Sequence, residues 1–201
     1  RGRYYATNQH IASVLDPQTD NILRFVATVP NGENDHGVWM DRIVQYQTTD
    51  PIKTEWYNRE FAVFVDIYKV KTKIHSVGSI PSNDTIGDCN KSQIVVCDNS
   101  YQLRHGMKIR STHNEMNGAN AYIEEITYNG GFGTITLSEN IDQWLSANLP
   151  VTFHADRVLN FHPDRKITAI NIIDDMLFWT DDYSEPKKIN MQRSRKGCFS
   201  R

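Results

Sequence analysis

Apolar and polar positions alternate over short stretches of this chain, and no 3.6-residue apolar periodicity runs longer than about ten residues. "HIASVL" and "ILRFVATV" flank the turn-forming "DPQTDN", which predicts two strands joined by a hairpin, with "RYYAT" as a further short strand before them. Asp16-Pro17 starts the turn, and Asp20-Asn21 tolerates the positive φ that a tight hairpin needs. "NGENDHG" at 31–37 is loop by composition. Further on, Val63, Val65, Ile67 and Val70 are interleaved with Phe64, Asp66, Tyr68 and Lys69, predicting a strand with one buried face. Residues 79–92 are rich in turn formers and read as a loop.

After "QIVVCD", short apolar groups recur at Met107/Ile109, Tyr122/Ile123, Ile126 and Ile135/Leu137, with Gly130, Gly131 and Gly133 supplying hairpin turns. This predicts a compact β module at about 93–140. "IDQWLSANLP" at 141–150 is the one convincing short helix, closed by Pro150. "VTFHADRVL" reads as a strand, and three more are expected at 167–173, 176–180 and 187–191. Asp174-Asp175 makes the first turn of that trio and "DDYSEP" the second. Thr180 and Asp181 fall where a strand ends, so their oxygens can take backbone N–H groups that the ladder leaves unpaired. Pro186 fixes φ ahead of the next strand, and Trp179 offers a large face for packing between sheets. A short twisted meander of this kind is the repeating unit of a β-propeller.

Composition changes this picture little. With 201 residues, 39% hydrophobic, 23% charged and a net charge of −2, the chain has an ordinary globular composition compatible with one or two domains. Its ends, "RGR" and "KKINMQRSRKGCFSR", are locally basic and read as solvated tails rather than a nucleic-acid site. No apolar run is long enough to span a bilayer as a helix. Cys89, Cys97 and Cys198 lack CxxC spacing, and Cys89 and Cys97 are expected as free thiols, with a cross-hairpin pair as the alternative. The seven histidines form no ligand motif, so no metal and no cofactor are expected.

The resemblance begins with "MLFWTDDYSEPKKINM", which is similar to the YWTD repeat of receptor β-propellers. In that repeat an aromatic-Trp-Thr-Asp strand is followed by a loop, a proline and a strand carrying basic residues. Phe178, Trp179, Thr180, Asp181, Pro186, Lys188 and Ile189 fall on the pattern, with Phe in place of Tyr, and "RSRKG" lacks the usual acidic residue before glycine. More closely, "TAINIIDDMLFWTDDYSEPKKINMQRS" resembles a segment in the tail proteins of podovirus-type bacteriophages, particularly the crAss-like phages. These are the muzzle or nozzle (tail stabilisation-type) proteins at the distal end of a short tail. "QTTDPIKTEWYNREFAVFVDIYKVKT" and "RHGMKIRST", "AYIEEIT" and "GTITLSENI" resemble other portions of them, and together these cover more than half of the chain.

The expected fold is mainly β: propeller-like hairpins at 1–43, an inserted β region at 44–157, a YWTD-like blade at 158–192 and a basic tail at 193–201. A closed propeller needs at least four blades of about 40–45 residues. The non-inserted residues supply at most about two, so the missing blades are expected from another fragment of one precursor or from a partner chain. The chain, which starts without Met and stops at "GCFSR", reads as a piece of a longer polypeptide.

The resemblance implies a structural virion protein, assembled in the bacterial host cytoplasm and forming a ring around the DNA exit channel of the tail. Its expected partners are other tail proteins and other copies or fragments of itself, with the host cell surface as a further candidate, DNA only as passing cargo and no membrane insertion. The alternative is a YWTD-type binding module for a cell-surface protein or glycan. A tail-associated glycan hydrolase is a third class, and no motif supports it: adjacent Glu124 and Glu125 point to opposite faces of a regular strand, and "GGFG" at 130–133 lies between strands. Asp174, Asp175, Asp181 and Asp182 are read as turn and capping residues, with calcium binding as the lesser option because no DxDxDG loop is present. The triplets Asn83-Asp-Thr and Asn90-Lys-Ser match a glycosylation site only by pattern. No catalytic residue is assigned.

Overall fold

The structure is a computed structural model that describes residues 8–28, 37–47, 60–80, 91–111 and 120–199. It is mainly β, with antiparallel strand pairs throughout. The strands are β1 (Asn8–Asp16), β2 (Asn21–Thr28), β3 (Val38–Tyr46), β4 (Glu60–Ile80), β5 (Lys91–Val96) and β6 (Lys108–Ser111). They continue with β7 (Ile123–Asn129), β8 (Phe132–Leu137), β9 (Pro150–His154), β10 (Ala169–Ile173), β11 (Met176–Thr180) and β12 (Lys187–Asn190), followed by the helix α1 (Met191–Phe199).

The chain divides into two compact units, one of Arg1–Glu33, Met40–Asp66 and Val158–Arg201, the other of Asn34–Trp39 and Ile67–Arg157. In the first, β1, β2, β3 and the start of β4 lie side by side, and β10, β11 and β12 form a separate three-stranded meander. Leu23, Phe25 and Ala27 of β2 share one face of their strand, as period-two alternation requires, and build a core with Ile43, Leu159, Phe161, Leu177 and Trp179. The β1–β2 turn is as the sequence predicts: Asp20 has φ 54°, and Asp16 accepts the Gln18 N–H and the Thr19 hydroxyl.

In the second unit β4 is flanked on one side by β5, β8 and β7 and on the other by β9 and β6. Hydrogen bonds from Ile109 N–H to Ala121 and from Ile123 N–H to Met107 join β6 to the start of β7. Gly130 (φ 57°) and Gly131 (φ 89°) make the two-residue turn between β7 and β8, as the sequence predicts.

Several expectations are corrected. The 141–150 helix is only a 3-10 turn at Asp142–Trp144, because Asn148 adopts positive φ and Pro150 opens β9 rather than ending a helix. Among the described residues the one α-helix lies instead in the basic C-terminal stretch, where the Asn190 side chain accepts the Arg193 N–H as an N-terminal cap. Over Glu60–Gly78 of β4 the buried positions are Val63 and then Asp66, Val70, Thr72 and Ile74, whereas Val65 and Ile67 are only half-buried. Ser79 and Ile80 continue β4, and Lys91 and Ser92 start β5 instead of a loop. The expected strand "RYYAT", most of the loop at 31–37, Cys89 and Asn83 lie outside the described residues.

Candidate functional site

The residues singled out by sequence lie together on β10–β12 and the loop before β12. Trp179 pairs with Ile170 and Lys187 across the meander, and Leu177 pairs with Ile172 and Ile189. Directly opposed residues of antiparallel strands share a face, so Trp179, Leu177 and Ile189 point into the core. Trp179 is 5% exposed and meets Phe25 edge-on at 5.8 Å and Phe161 at 6.3 Å, while Phe25 and Phe161 are 5.7 Å apart. These three rings form one aromatic cluster of the kind that adds to plain area burial.

Phe178 is placed differently. It is opposite Asn171 and Lys188 on the outer face of the meander and is half-buried. On this face Ile173 is 53% exposed.

Asp181 organises the loop between β11 and β12. Its Oδ1 accepts the N–H of Tyr183 at 3.1 Å, the N–H of Ser184 at 2.8 Å and the Ser184 hydroxyl at 2.9 Å. Burial pushes its pKa up, but these hydrogen bonds and the nearby Lys187 charge outweigh that and hold the carboxyl below its usual value. The Thr180 hydroxyl accepts the Asp182 N–H, Asp182 takes φ 59°, and the Thr180 carbonyl accepts the N–H of Thr168. Pro186 directly precedes β12, whose first residue Lys187 donates from Nζ to the Leu159 carbonyl at 2.7 Å. The WTD loop is thus held by its own carboxylate, and its lysine fastens the chain at Leu159.

Two carboxylates that the sequence reading did not single out complete this arrangement. Asp41 is fully buried and accepts the N–H groups of Thr28 and Phe161. Asp66 is 6% exposed and accepts those of Val158 and Leu159. Together they tie the segment that leads into the meander onto β3 and β4, which lets Phe161 reach Trp179.

Elsewhere the chemistry is sparse. Among the described residues no group of three or more His, Cys, Asp or Glu could hold a metal ion. Glu124 pairs with Lys91 at 2.7 Å, and a bulge interrupts β7 between Ile123 and Glu125, so Glu124 and Glu125 are both exposed instead of lying on alternate faces. Cys97 is a free thiol. Ser92, the last residue of the second glycosylation-like triplet, is fully buried and hydrogen-bonds the Asp142 carboxylate and the Ile141 N–H. No helix of the described residues is long and apolar enough to cross a membrane.

No known protein family, curated protein or solved structure matches this chain.

Proposed function

We propose that this chain is a structural component of a bacteriophage tail, the muzzle or nozzle at the distal end of a short tail, where copies form a ring around the DNA exit channel. The observation that carries the reading is the two-sided meander β10–β12. Its inner face packs Trp179 and Leu177 against β2, and its outer face leaves Ile173 and Phe178 partly exposed. A propeller blade is covered on both faces by its neighbours, so Ile173 and Phe178 left partly exposed beside Asn171 and Lys188 on the outer face are what an unpartnered blade presents.

β1, β2, β3 and the start of β4 in the same unit are read as another blade, with the second unit inserted between the two in sequence. Leu15, Phe61 and Val158 are also exposed in the first unit, which suits burial against further subunits. The mechanism is mechanical. Rigid antiparallel sheets resist deformation, and head-to-tail contacts repeated by cyclic symmetry close a ring.

Immunogold labelling of phage particles that carry this chain tests the reading. Gold confined to the distal tip of the tail is the expected result, and particles whose tails stay unlabelled overturn it.

A further inference from the structure

In the second unit, β4, β9 and β6 lie side by side, and their register brings cations from distant parts of the sequence into rows. Lys69 on β4 is opposite His154 on β9, which is opposite Lys108 on β6. In the next row Lys71, Thr152 and Arg110 align in the same way, and beyond them Lys73 is opposite Pro150. Alternation puts all of these on one face, while Val70, Ile109, Val151 and Phe153 are buried on the other. Lys71, Lys73, Lys108 and Arg110 are exposed, and Lys69 lies 4.2 Å over the ring of Trp39.

Among the described residues, none of these five cations has an ion-pair partner. Residues two apart on a strand are separated by about 6.7 Å and neighbouring strands by about 4.8 Å, so five charges share a patch of about 13 by 10 Å. Like charges side by side on a sheet repel. Burial, together with Lys69 and Arg110, lowers the pKa of His154, which keeps the middle of the patch neutral near pH 7. A chain of net charge −2 has no general affinity for polyanions, so this concentration is local.

We propose that this face is a contact surface for the phosphate backbone of duplex DNA. Lysine and arginine neutralise phosphates, and the Arg110 guanidinium can grip one with two hydrogen bonds. Single-stranded nucleic acid is disfavoured because its binders present stacking rings. Here Trp39, the ring under Lys69, is buried, and the exposed rings nearby, Tyr122 beside Lys108 and Phe132 against His75, lie at the margins of the rows. Contact is with backbone charge, so it is independent of base sequence. The inference rests on the tail reading for its biological setting: it names the surface that meets the DNA passing through the ring.

The test is fluorescence anisotropy with a labelled DNA duplex of arbitrary sequence, across a salt series, on the full chain. Five phosphate contacts correspond to a log–log salt slope of about −4.5, and the triple variant Lys71→Gln, Lys73→Gln, Arg110→Gln should weaken it by about 2.7. Arg24→Gln, Lys166→Gln and Lys196→Gln together, on the first unit, should leave the slope unchanged. Circular dichroism confirms that both variants fold. The inference is overturned by no binding at low salt, by binding that the β4/β6 variant does not alter, or by an effect of that variant on heparin binding but not on duplex binding. If a ring forms without DNA affinity, this inference fails and the tail reading stands; if DNA binds at this face but no ring forms, the tail reading fails instead.

Discussion

Asp66 on β4 accepts the backbone N–H of Leu159 at 2.7 Å, and the same carboxylate oxygen takes the N–H of Val158 at 2.8 Å. A buried carboxylate that receives two backbone amides joins residues more than 90 positions apart in sequence. Substituting Asp66→Ala strands both amides away from water. The expected loss of stability is on the order of 3 kcal/mol, with a smaller loss for Asp66→Asn, which keeps one acceptor oxygen. Urea denaturation checks this, and equal stability of Asp66→Ala and the parent would contradict it.

Trp179 packs against both Phe25 and Phe161 in the aromatic cluster. Trp179→Ala is expected to cost about 3–5 kcal/mol, and Trp179→Phe clearly less because a ring remains to meet Phe25. Phe178→Ala, on the outer face, should change the stability of the isolated chain little while weakening association between copies. Thermal unfolding beside sedimentation separates the two effects.

Gly37 and Gly106 both have positive φ, +66° and +79°, but only Gly37 is crowded. A Cβ there would sit 3.0 Å from the Lys71 carbonyl oxygen and 3.0 Å from the Asn99 amide nitrogen. Gly106→Ala should therefore cost about 1 kcal/mol for the backbone conformation alone. Gly37→Ala should cost more, up to about 3 kcal/mol, because backbone must shift. Denaturation midpoints for the pair test whether packing or φ decides.

The depressed pKa of His154 sets a pH dependence. The unfolded chain takes up this proton as pH falls below about 6.5, before the folded chain does, so the contribution to stability is full above that pH and is lost on acidification. His154→Gln should flatten the change in melting temperature between neutral pH and the range just below 6.5. Asp181, also depressed, acts in the same direction but lower: its contribution is present above the ordinary carboxyl value of 3.8 and is lost as pH falls through its folded value. A parent protein whose melting temperature rises on acidification through the histidine range would contradict the first assignment.

The meander was legible in the sequence because local rules agree there. Alternation places Leu177 and Trp179 on one face, and Asp174 and Asp182 take the positive φ that their turns require. The β7–β8 hairpin was legible for the same reason through Gly130 and Gly131. The helix α1 was not, since its sequence is strongly polar and basic around the buried Met191 and its remaining signal was a single capping asparagine, Asn190. Asp66 reads as an ordinary polar strand position and Asp41 carries no signal at all, because their partners, Phe161, Val158 and Leu159, are supplied by distant segments. The basic face was hidden likewise: Lys69, Lys71 and Lys73 alternate visibly, but only the pairing of β9 with both β4 and β6 adds Lys108 and Arg110.

Native mass spectrometry of the purified chain tests the tail reading most directly. A ring subunit with an uncovered blade face is expected to appear as a discrete assembly of several copies, and Phe178→Asp should disperse it. A stable single-chain species with cooperative unfolding, unchanged by Phe178→Asp, would contradict that reading and make a self-contained binding module the better description.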